Sequence, residues 1–222
     1  LQGRPAVLIA AGPSMEHGIR ELANLDMDHA VVMAAATCLQ PLTDAGIVPH
    51  LACSVDPLAV TERFVDGIPA EAAPALLSAA VAAPGLVQAF AGPHRFFVRI
   101  GEPLLDRLET ALDARPNLDA GGTVAHLMFA AARTLGCDPV ILVGHDLSFP
   151  GQRTHAPGVR SPWTASVKDF SQKHQVQLID IPCTNGRGTV PSTSSFAWFA
   201  AELEQRIQAD RHNGLTTFNT SP

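Results

Sequence analysis

Gly121-Gly122-Thr123 stands directly before an Ala-rich apolar run, and that arrangement can hold an anion. The first N–H groups of a helix lack partners inside it, the helix dipole is positive at that end, and glycines let a phosphate approach the backbone. Downstream, Gly144, His145 and Asp146 follow a short apolar run, so a carboxylate can meet the same ligand. Ser14, Thr37 and Asp56 also each stand just after an apolar run. A turn with open amides, several hydroxyls and a carboxylate suit the phosphate part of a nucleotide. Asp56 and Asp146 could together hold Mg2+ beside phosphates, because two carboxylates plus substrate oxygens suit that ion. Asp56 could equally cap the helix after Pro57. Residues 150–163 (PGQRTHAPGVRSPW) read as a lid or binding loop carrying Arg153, His155 and Arg160. Arg153, Arg160 and Arg187 could neutralise phosphate or stay solvated. His145 is as compatible with a packed core histidine as with a ligand contact. His126 lies inside an apolar helix and reads as structural.

These residues need a scaffold that brings strand ends to one rim. The spacing predicts a helix over 124–135 that Gly136 stops, then a strand over 139–143. Earlier, a strand over 6–11 meets the turn Gly12-Pro13-Ser14, and Ser14 caps a helix over 15–25. This opening suits a nucleotide-binding unit but also a plain βα turn. A strand over 30–35, a short helix over 38–45 closed by Gly46, and a strand over 51–55 come next. Between 58 and 115 the pattern predicts helices at 58–65, 70–82 and 103–112, and strands at 86–90 and 96–100. After the loop come a helix over 164–174, a final strand over 177–181, a turn over 184–188 and an amphipathic helix over 192–209. The expected fold is α/β, Rossmann-like, with a mostly parallel sheet and helices on both faces; in such sheets ligands sit at the carboxyl edge. Residues 1–209 form one domain in this reading, and 210–222 a polar tail that should fray and begins a further segment of a longer protein. Leu1 is not an initiator Met, which also points to a fragment.

Of the 222 residues, 46% are hydrophobic, enough for a large core and too many for a disordered chain. The net charge of -6 provides no basic footprint for nucleic acid. Cys38, Cys53, Cys137 and Cys183 form no C-x-x-C pair, so they read as buried thiols of a cytoplasmic protein. Residues 72–93 carry no charge, but Pro74, Pro84 and Gly85 interrupt them, so they predict a helix and a strand, not a membrane span.

The blocks AAGPSM, VVMAAATCLQPLTDAGIVPHLACSVDP, GGTVAHLMFAAARTLGCDPVILVGHDLSF and THA resemble, in that order, the bacterial DUF115 domain. That domain occurs in motility accessory factors, the flagellin glycosyltransferases, and is similar to 6-hydroxymethylpterin diphosphokinase. Its fold is similar to that of family-42 sialyltransferases, which use CMP-sialic acid. The resemblance implies that Gly12, Pro13 and Ser14 line a nucleotide, that Gly122 and Thr123 hold phosphate, and that Asp146 lies near the ribose or base. It implies His155 as general base for an acceptor hydroxyl. Two departures stand out: Ala36-Thr37 replaces the sialyltransferases' Asn, and the chain has no Tyr.

The function expected from this resemblance is transfer of a CMP-activated nonulosonic acid, such as pseudaminic acid, to flagellin Ser/Thr, with no cofactor required. The alternatives are an Mg2+-dependent ATP diphosphokinase acting on a 6-hydroxymethylpterin-like alcohol, and a non-catalytic nucleotide-binding domain.

Overall fold

Uninterrupted runs of Val, Ile, Leu and Ala favour strands covered on both faces. The structure, a computed structural model, describes residues 1–24, 27–70, 73–98, 118, 121–161 and 166–221. In chain order it contains β1 (Ala6–Ile9), α1 (Met15–Leu22), β2 (Val31–Ala35), α2 (Leu39–Asp44), β3 (Leu51–Ser54), β4 (Ala75–Ala79), α3 (Pro84–Ala89) and β5 (Arg95–Val98). Then follow α4 (Val124–Thr134), β6 (Val140–Val143), α5 (Val167–His174), β7 (Leu178–Pro182), β8 (Thr189–Thr193), α6 (Ser194–His212) and β9 (Thr217–Asn219).

Among the described residues, seven strands form one parallel sheet in the order β5-β4-β3-β2-β1-β6-β9. β1 is flanked on both sides, with Ala6 paired to Val31 and to Val140. The chain therefore walks outward from β1 to β5, then returns to β6 on the other side of β1. Because parallel crossovers are right-handed, the two directions of travel put their helices on opposite faces. The order also reverses between β1 and β6, where open α/β sheets usually bind ligands.

The core follows from the same runs. Every residue of β1 and β2 is buried. α4 lies across β1, β2 and β3, with Leu127, Met128 and Ala132 wholly buried. Burying each large side chain of this kind contributes about 1.5–3 kcal/mol. Gly18 of α1 meets β6 so closely that an added Cβ would lie 2.2 Å from Val143 Cγ1.

Several expectations are corrected. The predicted helix at 70–82 contains the strand β4, and the predicted strand at 86–90 falls on the helix α3. The strand predicted last is not last: β7 pairs antiparallel with β8 as a separate hairpin. The predicted helix at 192–209 starts later, at Ser194, because its first residues complete β8. The tail expected to fray supplies β9, which pairs with β6 through Thr217 and Val140. The stretch expected as a helix at 58–65 is the 3-10 helix Ala59–Phe64, and the predicted helix at 103–112 lies outside the described residues. Among those residues, no helix is long and apolar enough to cross a membrane.

Candidate functional site

The carboxyl ends of the parallel strands share one rim, but the polar residues on it form two groups. The first lies where β1 and β6 end. Gly12 donates its N–H to Gly144 O at 3.0 Å, and Ser14 N–H donates to Asp146 Oδ2 at 2.8 Å. Asp146 therefore takes up an open amide at the start of α1, where its charge also suits the helix dipole. An added Cβ on Gly12 would meet Asp146 Oδ2 at 2.3 Å and Gly144 O at 2.5 Å, so the approach requires glycine. Pro13 is buried in this turn. Ser14 occupies the N-cap position, but its hydroxyl makes no capping bond; it lies 3.3 Å from Ser221 Oγ. The expected hydroxyl cap is thus replaced by the Asp146 carboxylate.

His145 belongs to the same group. Its Nε2–H donates to Leu8 O at 3.1 Å, and burial pushes its pKa down to about 4. It is a neutral core histidine at neutral pH. Asp146 Oδ1 and His145 Nδ1 are both enclosed without a partner.

The second group surrounds a cavity of about 400 Å³ at the ends of β2 and β3. Thr37, Asp56, Gly122, Thr123 and His155 line it, with Phe64 and Ser161 completing the wall. α4 precedes β6, so it runs antiparallel to the strands and delivers its amino end to this rim. Thr123 Oγ1 accepts from His126 N–H at 3.3 Å and lies 2.7 Å from His126 Nδ1. That hydroxyl is spent on the helix start. Among the described residues, the N–H groups of Val124 and Ala125 have no hydrogen-bond partner, and they form the open positive end of α4. Gly121, at φ +57°, turns the chain into this helix; an added Cβ there would meet His126 Cβ at 2.7 Å. His126 is wholly buried, with Nε2 3.8 Å from the Glu202 carboxylate, as a structural residue would be.

Asp56 Oδ1 accepts from Leu58 N–H at 2.8 Å, which fixes the carboxylate beside the cavity. Asp146 and Asp56 cannot jointly ligate one ion. They follow β6 and β3, which have β1 and β2 between them, and three strand spacings come to roughly 14 Å.

His155 is set by a loop whose described residues, 150–161, are anchored to the core at Ala156 and Val159. Ala156 and Val159 are buried in the main core, and Ala156 N–H donates to Ala11 O at 3.0 Å. Burial pushes the His155 pKa down to about 4, and its Nδ1 is enclosed without a partner. The imidazole is neutral at neutral pH. The cations do not join it. Arg153 pairs with Glu16 at 3.2 Å, Arg160 donates to Asp66 O, and Arg187 sits exposed in the β7–β8 turn. Arg153 thus forms a surface ion pair. The sequence reading missed Phe64 and Ser161, which carry no motif.

A family model described as 6-hydroxymethylpterin diphosphokinase MptE-like matches residues 1–152. An uncharacterized protein of Treponema pallidum (strain Nichols) is 26% identical over 131 residues, which cover 47% of this chain and 33% of that protein. The solved MAf glycosyltransferase from Magnetospirillum magneticum AMB-1 superposes with a TM-score of 0.63 at 21% identity, over 89% of this chain and 28% of that one. That likeness is one of fold. The chain spans about a third of the curated relative's length.

Proposed function

Because the chain belongs to the 6-hydroxymethylpterin diphosphokinase MptE-like family, we propose that it is a nucleotide-dependent transferase domain whose donor binds at the β2–β3 end of the rim. One observation carries this reading: Val124 with the open amino end of α4, Thr37 and the neutral imidazole of His155 border one cavity. The donor's phosphate seats on the N–H groups of Val124 and Ala125, which also stabilise the charge it gains on leaving. His155 takes the proton from the acceptor hydroxyl as the new bond forms.

In the finer reading the donor is a CMP-activated nonulosonic acid such as pseudaminic acid, the acceptor is a flagellin Ser or Thr, and the protein is cytoplasmic. The motif resemblance supports it, as does the fold shared with a protein described as a MAf glycosyltransferase. Such a transfer requires no cofactor.

A second reading, an ATP diphosphokinase acting on a 6-hydroxymethylpterin-like alcohol, is favoured by Asp56. Its carboxylate lines the same cavity and suits Mg2+ shared with phosphate oxygens. The ion would supply charge neutralisation on the transferred phosphates. Calorimetric titration with CMP, CDP and ATP, each with and without Mg2+, separates the two. Metal-free binding of CMP supports glycosyl transfer. Binding of ATP with Mg2+ alone supports the diphosphokinase. Absence of binding by all three overturns both, and nucleotide binding without turnover of any donor leaves a non-catalytic nucleotide-binding domain.

A further inference from the structure

We infer that the acceptor reaches His155 through a second chamber, separate from the nucleotide cavity, and that this chamber takes an apolar or aromatic part of the molecule that carries the acceptor hydroxyl. A cavity of about 410 Å³ is lined by Phe149, Thr154, His155, Phe170, His174 and Phe196. His155 is the residue it shares with the nucleotide cavity. A transfer between two substrates needs the donor and the acceptor to meet at the proton acceptor without occupying the same space. A side chain in the wall of both cavities meets that requirement. This inference rests on the reading of His155 as the base.

The chemistry of the walls selects the ligand. Phe149 is 1% exposed and forms a fixed floor. Its ring centroid lies 5.7 Å from that of Phe170 on α5 and 5.5 Å from that of Phe196 on α6, both tilted. His174 lies 5.1 Å from Phe170. Among the described residues, none that line it is Lys, Arg, Asp or Glu, so a polyanionic nucleotide finds no counter-charge from them, whereas a flat apolar group gains edge and face contacts. In the glycosyl-transfer reading, the acceptor oxygen bonds to the anomeric carbon of the donor. The bond from that carbon to the phosphate oxygen breaks with its electron pair on the nucleotide. The hydroxyl proton passes to the His155 imidazole.

The test uses benzyl alcohol as probe and glycerol as its polar counterpart, each titrated into this chain and followed by NMR of the histidine and phenylalanine rings. Benzyl alcohol is expected to shift the His155, Phe170 and Phe196 signals saturably, and glycerol to leave them unchanged. Phe196→Ser is half-buried in the wild type and replaceable without opening the floor; it is expected to weaken benzyl alcohol about tenfold while nucleotide affinity stays within about twofold. Equal response to glycerol, silence of these signals toward benzyl alcohol in the wild type, or matched losses of nucleotide and alcohol in Phe196→Ser each overturn the inference. Nucleotide affinity is read separately, so a chain that binds benzyl alcohol here but no nucleotide sinks the transferase reading while leaving the chamber standing.

Discussion

The two ends of the rim use the same residue types to opposite effect. Where β1 and β6 end, Asp146 holds the Ser14 amide, Ser221 lies against the Ser14 hydroxyl, and His145 is bonded to β1. These bonds tie the turn together, while Asp146 Oδ1 and His145 Nδ1 stay without a partner and both residues line a cavity of about 630 Å³ toward β9. Two strands away, the amides of α4, the Thr37 hydroxyl and His155 face a cavity. A reversal of strand order favours ligand binding because loops part there, and here an internal carboxylate ties one side of the parting to the start of α1. An aspartate after a strand therefore says little until its partner is known.

If this division is right, substitutions should separate function from stability. The largest effect is expected for His155→Ala, a loss of about 10²–10⁴-fold in turnover of whichever donor binds, with folding stability within about 1 kcal/mol of wild type. Steady-state rates beside urea melts measure both; unchanged turnover would assign proton transfer elsewhere. Gly12→Ala should act first on stability, with a smaller loss of rate. Forcing a methyl against Asp146 and Gly144 should cost about 3 kcal/mol in the urea midpoint. A neutral result would mean that the β1–β6 crevice is looser than its contacts imply.

Acid should then weaken the β1–β6 end. The His145 pKa is lowered from 6.5 to about 4 by burial, so the unfolded chain takes up a proton in that window and the native one does not. Stability is fully present above pH 6.5 and falls as pH drops toward 4, by about 2 kcal/mol between pH 7 and 5 from this residue. His155 is lowered to about 4 by the same cause and adds in the same direction. Urea melts across that range should show the slope, and His145→Gln should remove much of it. A slope unchanged by that substitution would move its origin to other groups.

Much of the fold was legible because it depends on local signals. Long apolar runs placed β1, β2, β3 and β6, and Gly136 ended α4 where expected. The reversed assignment around 70–90 has a physical cause. The Ala-rich run favours helix on intrinsic grounds, but the place between β3 and β5 makes it strand β4. Pro84, at the first position of α3, was the overlooked sign of a helix start. β9 is short and carries Thr and Asn, so no apolar run announced it. At the site, strand ends foretold which residues reach the rim. They could not foretell pairing, because Ser14 meets Asp146 and Ser221 across most of the chain. Phe149, Phe170 and Phe196 gave no motif, since ring clusters form only in the folded packing.

The amide of Ala156 joins the two ends of the rim by holding Ala11 O. The imidazole one residue earlier thus takes its aim from the turn after β1. Strain introduced at Gly12 would be transmitted along the chain as a misdirected His155, so damage far from any ligand would surface as a defect in rate.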